Sequence, residues 1–240
     1  MPTPRREFLA QLATASLAVA GSACARVATS GVTVASNAPA ASSNPPATTA
    51  PPTAVHFDDS WTTRVAAAKH KAVFDSPEVE DGRVLYLSWL YRDGYGKALG
   101  TPAADVVPVL VLRHAATVLA FDDALWAKYP IARLSNVKPS DAKKKDPWPT
   151  YNPYARPHTE AEKQYASFML DGVLAAGAVV LACNTAFQGF SSRLAKEIRA
   201  DVAQLREEMR ARVVPGVIFQ PSGIYATLRA QEVGCTFMRA

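Results

Sequence analysis

Val106-Val107-Pro108-Val109-Leu110-Val111-Leu112 is a continuous apolar run, and it restricts the fold more than any other feature of the chain. An alternating run would describe a strand with one wet face, whereas an unbroken one describes a strand covered on both faces. Pro108 is out of place in such a strand. It cannot donate to a ladder, so it points to an edge or a strand start. Weaker runs repeat the signal: Lys71-Ala72-Val73-Phe74 ended by Asp75-Ser76-Pro77, then Val179-Val180-Leu181-Ala182-Cys183, Val217-Ile218-Phe219-Gln220 after Pro215-Gly216, and Thr236-Phe237-Met238.

Helical spacing fills the intervals. Residues 83–97 place Val84, Leu87 and Tyr91 on one face, and residues 115–129 carry Val118, Phe121, Leu125 and Tyr129. Thr159-Glu160-Ala161-Glu162 reads as a capping box that opens a helix through Tyr165, Phe168, Met169 and Val173. After Ser192, Leu194, Ile198, Val202, Leu205 and Met209 recur every three or four residues, and 223–232 is a short helix. Strand and helix alternate throughout, which predicts an α/β fold: a three-layer, mostly parallel five-stranded sheet with helices on both faces. Residues 130–158, rich in Pro, Lys, Asn and Asp, read as a long loop in which Trp148 and Tyr151 are best suited to dock.

The start of the chain is a separate matter. Arg5-Arg6-Glu7-Phe8-Leu9 and the mild, alanine-rich stretch after it resemble the bacterial twin-arginine export signal, an address rather than a fold. Ala23-Cys24-Ala25 fits signal peptidase cleavage. Cys24 also raises lipidation, with Ser22 and Ala23 suitable and Gly21 not. Residues 26–55 are mostly Ala, Ser, Thr, Pro and Asn, a composition expected of a flexible linker. The expected division is a signal over 1–25, a linker over 26–55 and one domain over 56–240. The expected location is the periplasm, with a membrane anchor only if Cys24 is lipidated. A domain of that size buries about 70% of the surface it would expose unfolded and needs neither metal nor disulfide.

The formal charge of +5 is spread out except at Lys143-Lys144-Lys145, and the absence of a basic stripe with interleaved aromatics argues against nucleic acid. There is no G-x-G-x-x-G and no Walker loop, so no nucleotide cofactor is implied. The four histidines lack metal-ligand spacing. In open parallel sheets ligands sit at the carboxyl ends of strands. Those ends bring forward Asp75, Arg113, His114, Cys183, Asn184, Thr185, Ser222 and Gly223. Cys183 either is a thiol activated at a helix start that Asn184 or Thr185 would cap, or is a small buried core residue. His114 reads as a base or as a structural histidine, and Arg113 as an anion holder or a surface ion pair. Asp75 reads as a helix cap, and Ser222-Gly223 as a helix start and tight turn or an anion contact. Cys235 opens the last strand while Cys183 closes another, placing them about 16 Å apart. A disulfide requires Cα atoms within about 7 Å, so none is expected between them.

Gly177-Ala178-Val179-Val180-Leu181-Ala182-Cys183-Asn184-Thr185, Pro215-Gly216-Val217-Ile218, Pro221-Ser222-Gly223 and Ala230-Gln231-Glu232-Val233-Gly234 resemble the C-terminal half of DsrE/DsrF-like proteins. His70-Lys71-Ala72-Val73-Phe74-Asp75 and Val111-Leu112-Arg113-His114 are similar to an exported branch of that family. The resemblance implies a homo-oligomeric α/β protein that relays sulfane sulfur as a persulfide on Cys183, with a sulfur-transfer protein as partner. The alternative is a non-catalytic module that binds a small ligand or assembles through the same rim. Replacing Arg5 and Arg6 by Lys is expected to leave the precursor in the cytoplasm. Fractionation showing normal processing of that double variant would remove the twin-arginine assignment.

Overall fold

Five strands make one all-parallel sheet: β1 (His70–Ser76), β2 (Val106–Leu112), β3 (Val179–Cys183), β4 (Val217–Gln220) and β5 (Thr236–Arg239). Their order across the sheet is β4-β3-β2-β1-β5. The helices are α1 (Trp61–Ala67), α2 (Arg83–Leu99), α3 (Asp123–Lys128), α4 (Ile131–Leu134), α5 (Leu170–Ala175), α6 (Asn184–Ile198), α7 (Val202–Ala211) and α8 (Gly223–Glu232). The computed structural model describes residues 57–137 and 148–240. The expected signal, Cys24, the linker and the lysine run lie outside the described residues.

Every residue of β2 and β3 is buried, and the period of two in a strand sends alternate side chains to opposite layers. Val73, Val107, Val109, Val111, Val179 and Leu181 pack with Trp61 and Val65 of α1 and Ala226 and Ala230 of α8. Phe74, Leu110, Leu112, Val180 and Ala182 face the other way. They meet Leu85 of α2, Trp126 of α3, Leu170 of α5, Phe187 and Leu194 of α6 and Met209 of α7. The expected three layers are present. Each fully buried Val or Leu stabilises the fold by about 1.5–3 kcal/mol relative to leaving it exposed.

The connections follow from the strand order. β1 to β2, β2 to β3 and β3 to β4 all step the same way along the sheet, and their helices pack into one layer. The step from β4 to β5 reverses direction past β1, and its helix α8 lies in the other layer. Crossovers of a single hand require this arrangement. Asp59 accepts from Arg229 Nε and Nη2 at 3.0 and 2.9 Å, fixing the segment ahead of α1 to α8.

Several sequence expectations are corrected. Pro108 lies in the central strand, not at an edge. It precedes Val109, where the ladder with β3 opens opposite Val179, so among the described residues it pairs with β1 alone, at Ala72. Residues 115–129 are not one helix. Residues His114–Ala120 form tight 3₁₀ turns, Phe121 bridges Val213, and Asp122 caps α3 by accepting from the Leu125 N–H at 2.9 Å. Backbone pairing overrides helical spacing here. Thr159 caps its turn as expected, accepting from Glu162 N–H, but Glu160–Phe168 is 3₁₀ and only Leu170–Ala175 is α. The segment placed after Ser192 begins at Asn184 and breaks at Arg199, whose φ of 55° lies in the left-handed region, before Asp201 caps α7.

The described flanks of the 130–158 loop are packed rather than loose. Ile131, Ala132 and Val137 are core residues, and Trp148 packs against the same core. Asn152 is fully buried. Its amide donates to the carbonyls of Leu119 and Phe121, both at 2.9 Å, and its oxygen accepts from Tyr154 N–H at 3.1 Å. At Asn152 polar character serves internal hydrogen bonding, which composition alone does not distinguish from solvation. Asn152→Ala strands two buried carbonyls and one N–H, and is expected to cost about 2–4 kcal/mol in urea unfolding. A loss under about 0.5 kcal/mol would show that the segment is not anchored there.

Candidate functional site

Strand β3 leads into the α6 layer and β4 into the α8 layer. Among the described residues, their carboxyl ends therefore straddle the place where neighbouring strands send their connections to opposite faces, the position where ligands enter sheets of this kind. Cys183 and Gln220 are register partners at that point. Thr185 Oγ1 donates to the Pro221 carbonyl at 3.1 Å and joins the two exits.

Cys183 is 5% exposed and free. Its Sγ accepts from the Ala186 N–H at 3.3 Å. The sulfur itself is thus the cap of the fifteen-residue α6, in place of Asn184 or Thr185. Asn184 Oδ1 instead accepts from Arg210 Nη2, and the Arg210 guanidinium lies over the Phe187 and Phe219 rings at 4.6 and 4.9 Å. Ser222 caps α8 by accepting from Tyr225 N–H at 3.0 Å.

Asp75 is not a helix cap. It takes Arg113 in a two-pronged pair, Nε to Oδ1 at 2.5 Å and Nη2 to Oδ2 at 2.7 Å, with both side chains mostly buried. Asp75 and, more weakly, Cys183 hold the Arg113 proton more firmly than usual, against the opposing effect of burial. Arg113 Nη1 also lies 3.0 Å from His114 Nδ1. Arginine can only donate, so that nitrogen of His114 carries no proton and Nε2 is left to donate elsewhere. His114 has a φ of 48°, a left-handed conformation uncommon outside glycine, and its neighbours in a 460 Å³ cavity include Ala186, Phe190 and Arg193. His114 bonds Arg113, not the Cys183 sulfur.

Gly223 is required by Arg113. A Cβ built on Gly223 would lie 2.5 Å from Arg113 Cβ and 2.7 Å from its Cδ, so the arginine passes directly over the start of α8. Asp75, Arg113, His114, Ser222 and Gly223 thereby form one connected structure. Cys183, Asn184 and Thr185 form its neighbour across the strand ends.

Gln220 went unrecognised among the sequence candidates. It is fully buried; its amide nitrogen donates to Asp58 and Phe219 carbonyls at 2.7 and 3.1 Å, and its Oε1 is buried without a hydrogen-bond partner. The available signal was a glutamine closing an otherwise apolar strand one register step across from Cys183. Cys235 is also free, and burial pushes its thiol up to about 11 despite Lys71 nearby. Among the described residues, no group of three His, Cys, Asp or Glu side chains could hold a metal ion, and no helix is long and apolar enough to cross a membrane.

The fold and the strand-end rim define an α/β protein with a parallel sheet and a cysteine at its topological switch. Comparison with family models, with curated proteins and with solved structures finds no match.

Gly223→Ala separates propensity from packing. Alanine favours a helix by up to about 1 kcal/mol over glycine, yet its Cβ must displace Arg113. A net loss of about 1–3 kcal/mol is expected, measured by chemical denaturation. A gain in stability would show that Arg113 does not cross Gly223.

Proposed function

We propose that this chain is an exported, DsrE/DsrF-like sulfur carrier whose Cys183 accepts sulfane sulfur and passes it to a partner protein. The observation that supports this reading is the position of the Cys183 sulfur: at the topological switch, capping α6 through Ala186 N–H, within electrostatic influence of Arg113. The Ala186 N–H already donates to this sulfur, and a thiolate before reaction and a persulfide after it both accept such a bond.

The step is a displacement between sulfurs. The Cys183 thiolate attacks the terminal sulfane sulfur of a polysulfide, a new S–S bond forms at Sγ, and the donor S–S bond breaks. The electron pair of that bond leaves with the shortened donor as its thiolate. No outside oxidant is needed, and the persulfide can be passed on by the same exchange in reverse. On this reading the protein acts in the periplasm, anchored to a membrane only if Cys24 is lipidated. It assembles as a homo-oligomer, for which the exposed edge strand β5, with Phe237 and Met238 open to solvent, offers a surface.

The low exposure of Cys183 favours a second reading, a module that binds or assembles through this rim without turnover. Incubation of the purified protein with polysulfide followed by intact mass measurement decides between them. The expected result is a one-sulfur mass gain lost in Cys183→Ser and retained in Cys235→Ser. Cys235 should alkylate slowly at neutral pH, because its raised pKa keeps it protonated there, and faster as pH climbs toward 11. Wild-type protein that gains no sulfur at Cys183 would overturn the carrier reading.

A further inference from the structure

We propose that the opposite, amino end of the sheet holds a second binding site, in which Arg64 and Arg92 together grip the oxyanion head of a small organic anion. Arg64 belongs to α1 in one layer and Arg92 to α2 in the other, and the two meet at a cavity by the strand starts. They line one cavity of about 570 Å³ beside Val107, at the beginning of β2, and Gly177, just before β3. That lining contains no carboxylate.

Neither arginine has an ion-pair partner among the described residues. Arg92 Nη2 donates to the Ala103 carbonyl at 3.3 Å, while Arg92 Nη1 is buried with no hydrogen-bond partner. Burial and the neighbouring Arg64 both lower the proton affinity of Arg92. A buried donor left without a partner is destabilising, and two like charges converging on it add to the cost. A carboxylate or phosphate between them satisfies the donor and reverses the repulsion, in the planar, forked geometry that guanidinium groups match.

The ligand has a body as well as a head. A second cavity of about 290 Å³ shares Arg92, Ala103 and Ala176 with the first and continues past Trp89 and Val173. Its one carboxylate, Asp93, is engaged by Lys97 at 2.9 Å. The site therefore fits an anionic head on a compact aromatic or aliphatic group. It is remote from Cys183 in the sheet, and stands or falls independently of the sulfur-carrier reading.

The test is calorimetric titration of the purified protein with phenyl phosphate, benzoate, inorganic phosphate and the uncharged benzyl alcohol. Phenyl phosphate or benzoate should bind saturably at one site per chain, and the tighter of the two identifies the head. Benzyl alcohol should not bind, and inorganic phosphate should bind more weakly than phenyl phosphate. Arg64→Gln, at an exposed position that tolerates change, and Arg92→Gln should each weaken binding about tenfold or more, the loss of one charge-assisted pair. Trp89→Ala should weaken phenyl phosphate more than inorganic phosphate. Absence of saturable binding by either organic anion, or unchanged affinity in Arg64→Gln, would overturn the proposal.

Discussion

Burial of β2 on both of its faces is the constraint from which the rest of the architecture follows. Its odd-numbered valines enter one apolar layer and Leu110 and Leu112 the other, so the strand needs helices above and below it. Parallel neighbours on each side complete its ladder, and each parallel connection must cross a face of the sheet, which supplies those helices. The alanines of α8, Ala226 and Ala230, are fully packed against the sheet, and their small side chains let that helix sit close.

The same geometry gathers the polar residues at one end. A chain that steps along the sheet in one direction and then reverses must separate two adjacent connections, and the separation falls at Cys183 and Gln220. Two helices then begin on opposite sides of a short gap, one capped by sulfur and the other by a hydroxyl. The buried Asp75–Arg113 pair, lying across Gly223, fixes the ends of β1 and β2 against the start of α8. Removing one member of such a pair is costly because the other is left charged and uncompensated. Rigidity of the rim thus rests on electrostatics as much as on packing.

The sheet was legible in the sequence because buried parallel strands are written as unbroken apolar runs, and the strands lie close to where those runs fall. What periodicity could not convey was interruption by tertiary contacts. Phe121 has helical spacing with Val118 and Leu125 but is drawn into a bridge with Val213, and Arg199 breaks a pattern whose apolar residues continue undisturbed through it. At the rim, residue types were legible and partners were not. Asp75 has the composition of a cap and the position of a counter-ion. Asn152, Gln220, Arg64 and Arg92 carry no motif at all; each acquires meaning only from groups distant in sequence.

Pairing of β5 with β1 joins strands separated by nearly the whole of the domain. During synthesis, β1 through β4 emerge in an order that lets each add beside its predecessor, but the far edge of β1 waits for the strand made last. Until then Val73 and Phe74 sit in an outer strand whose backbone N–H and C=O groups on that side have no partner, the kind of edge that recruits other chains. Pairing with β5 therefore moves the sheet edge from the seven-residue, mostly buried β1 to the four-residue β5, and a short edge strand is one of the devices that limit edge-to-edge pairing.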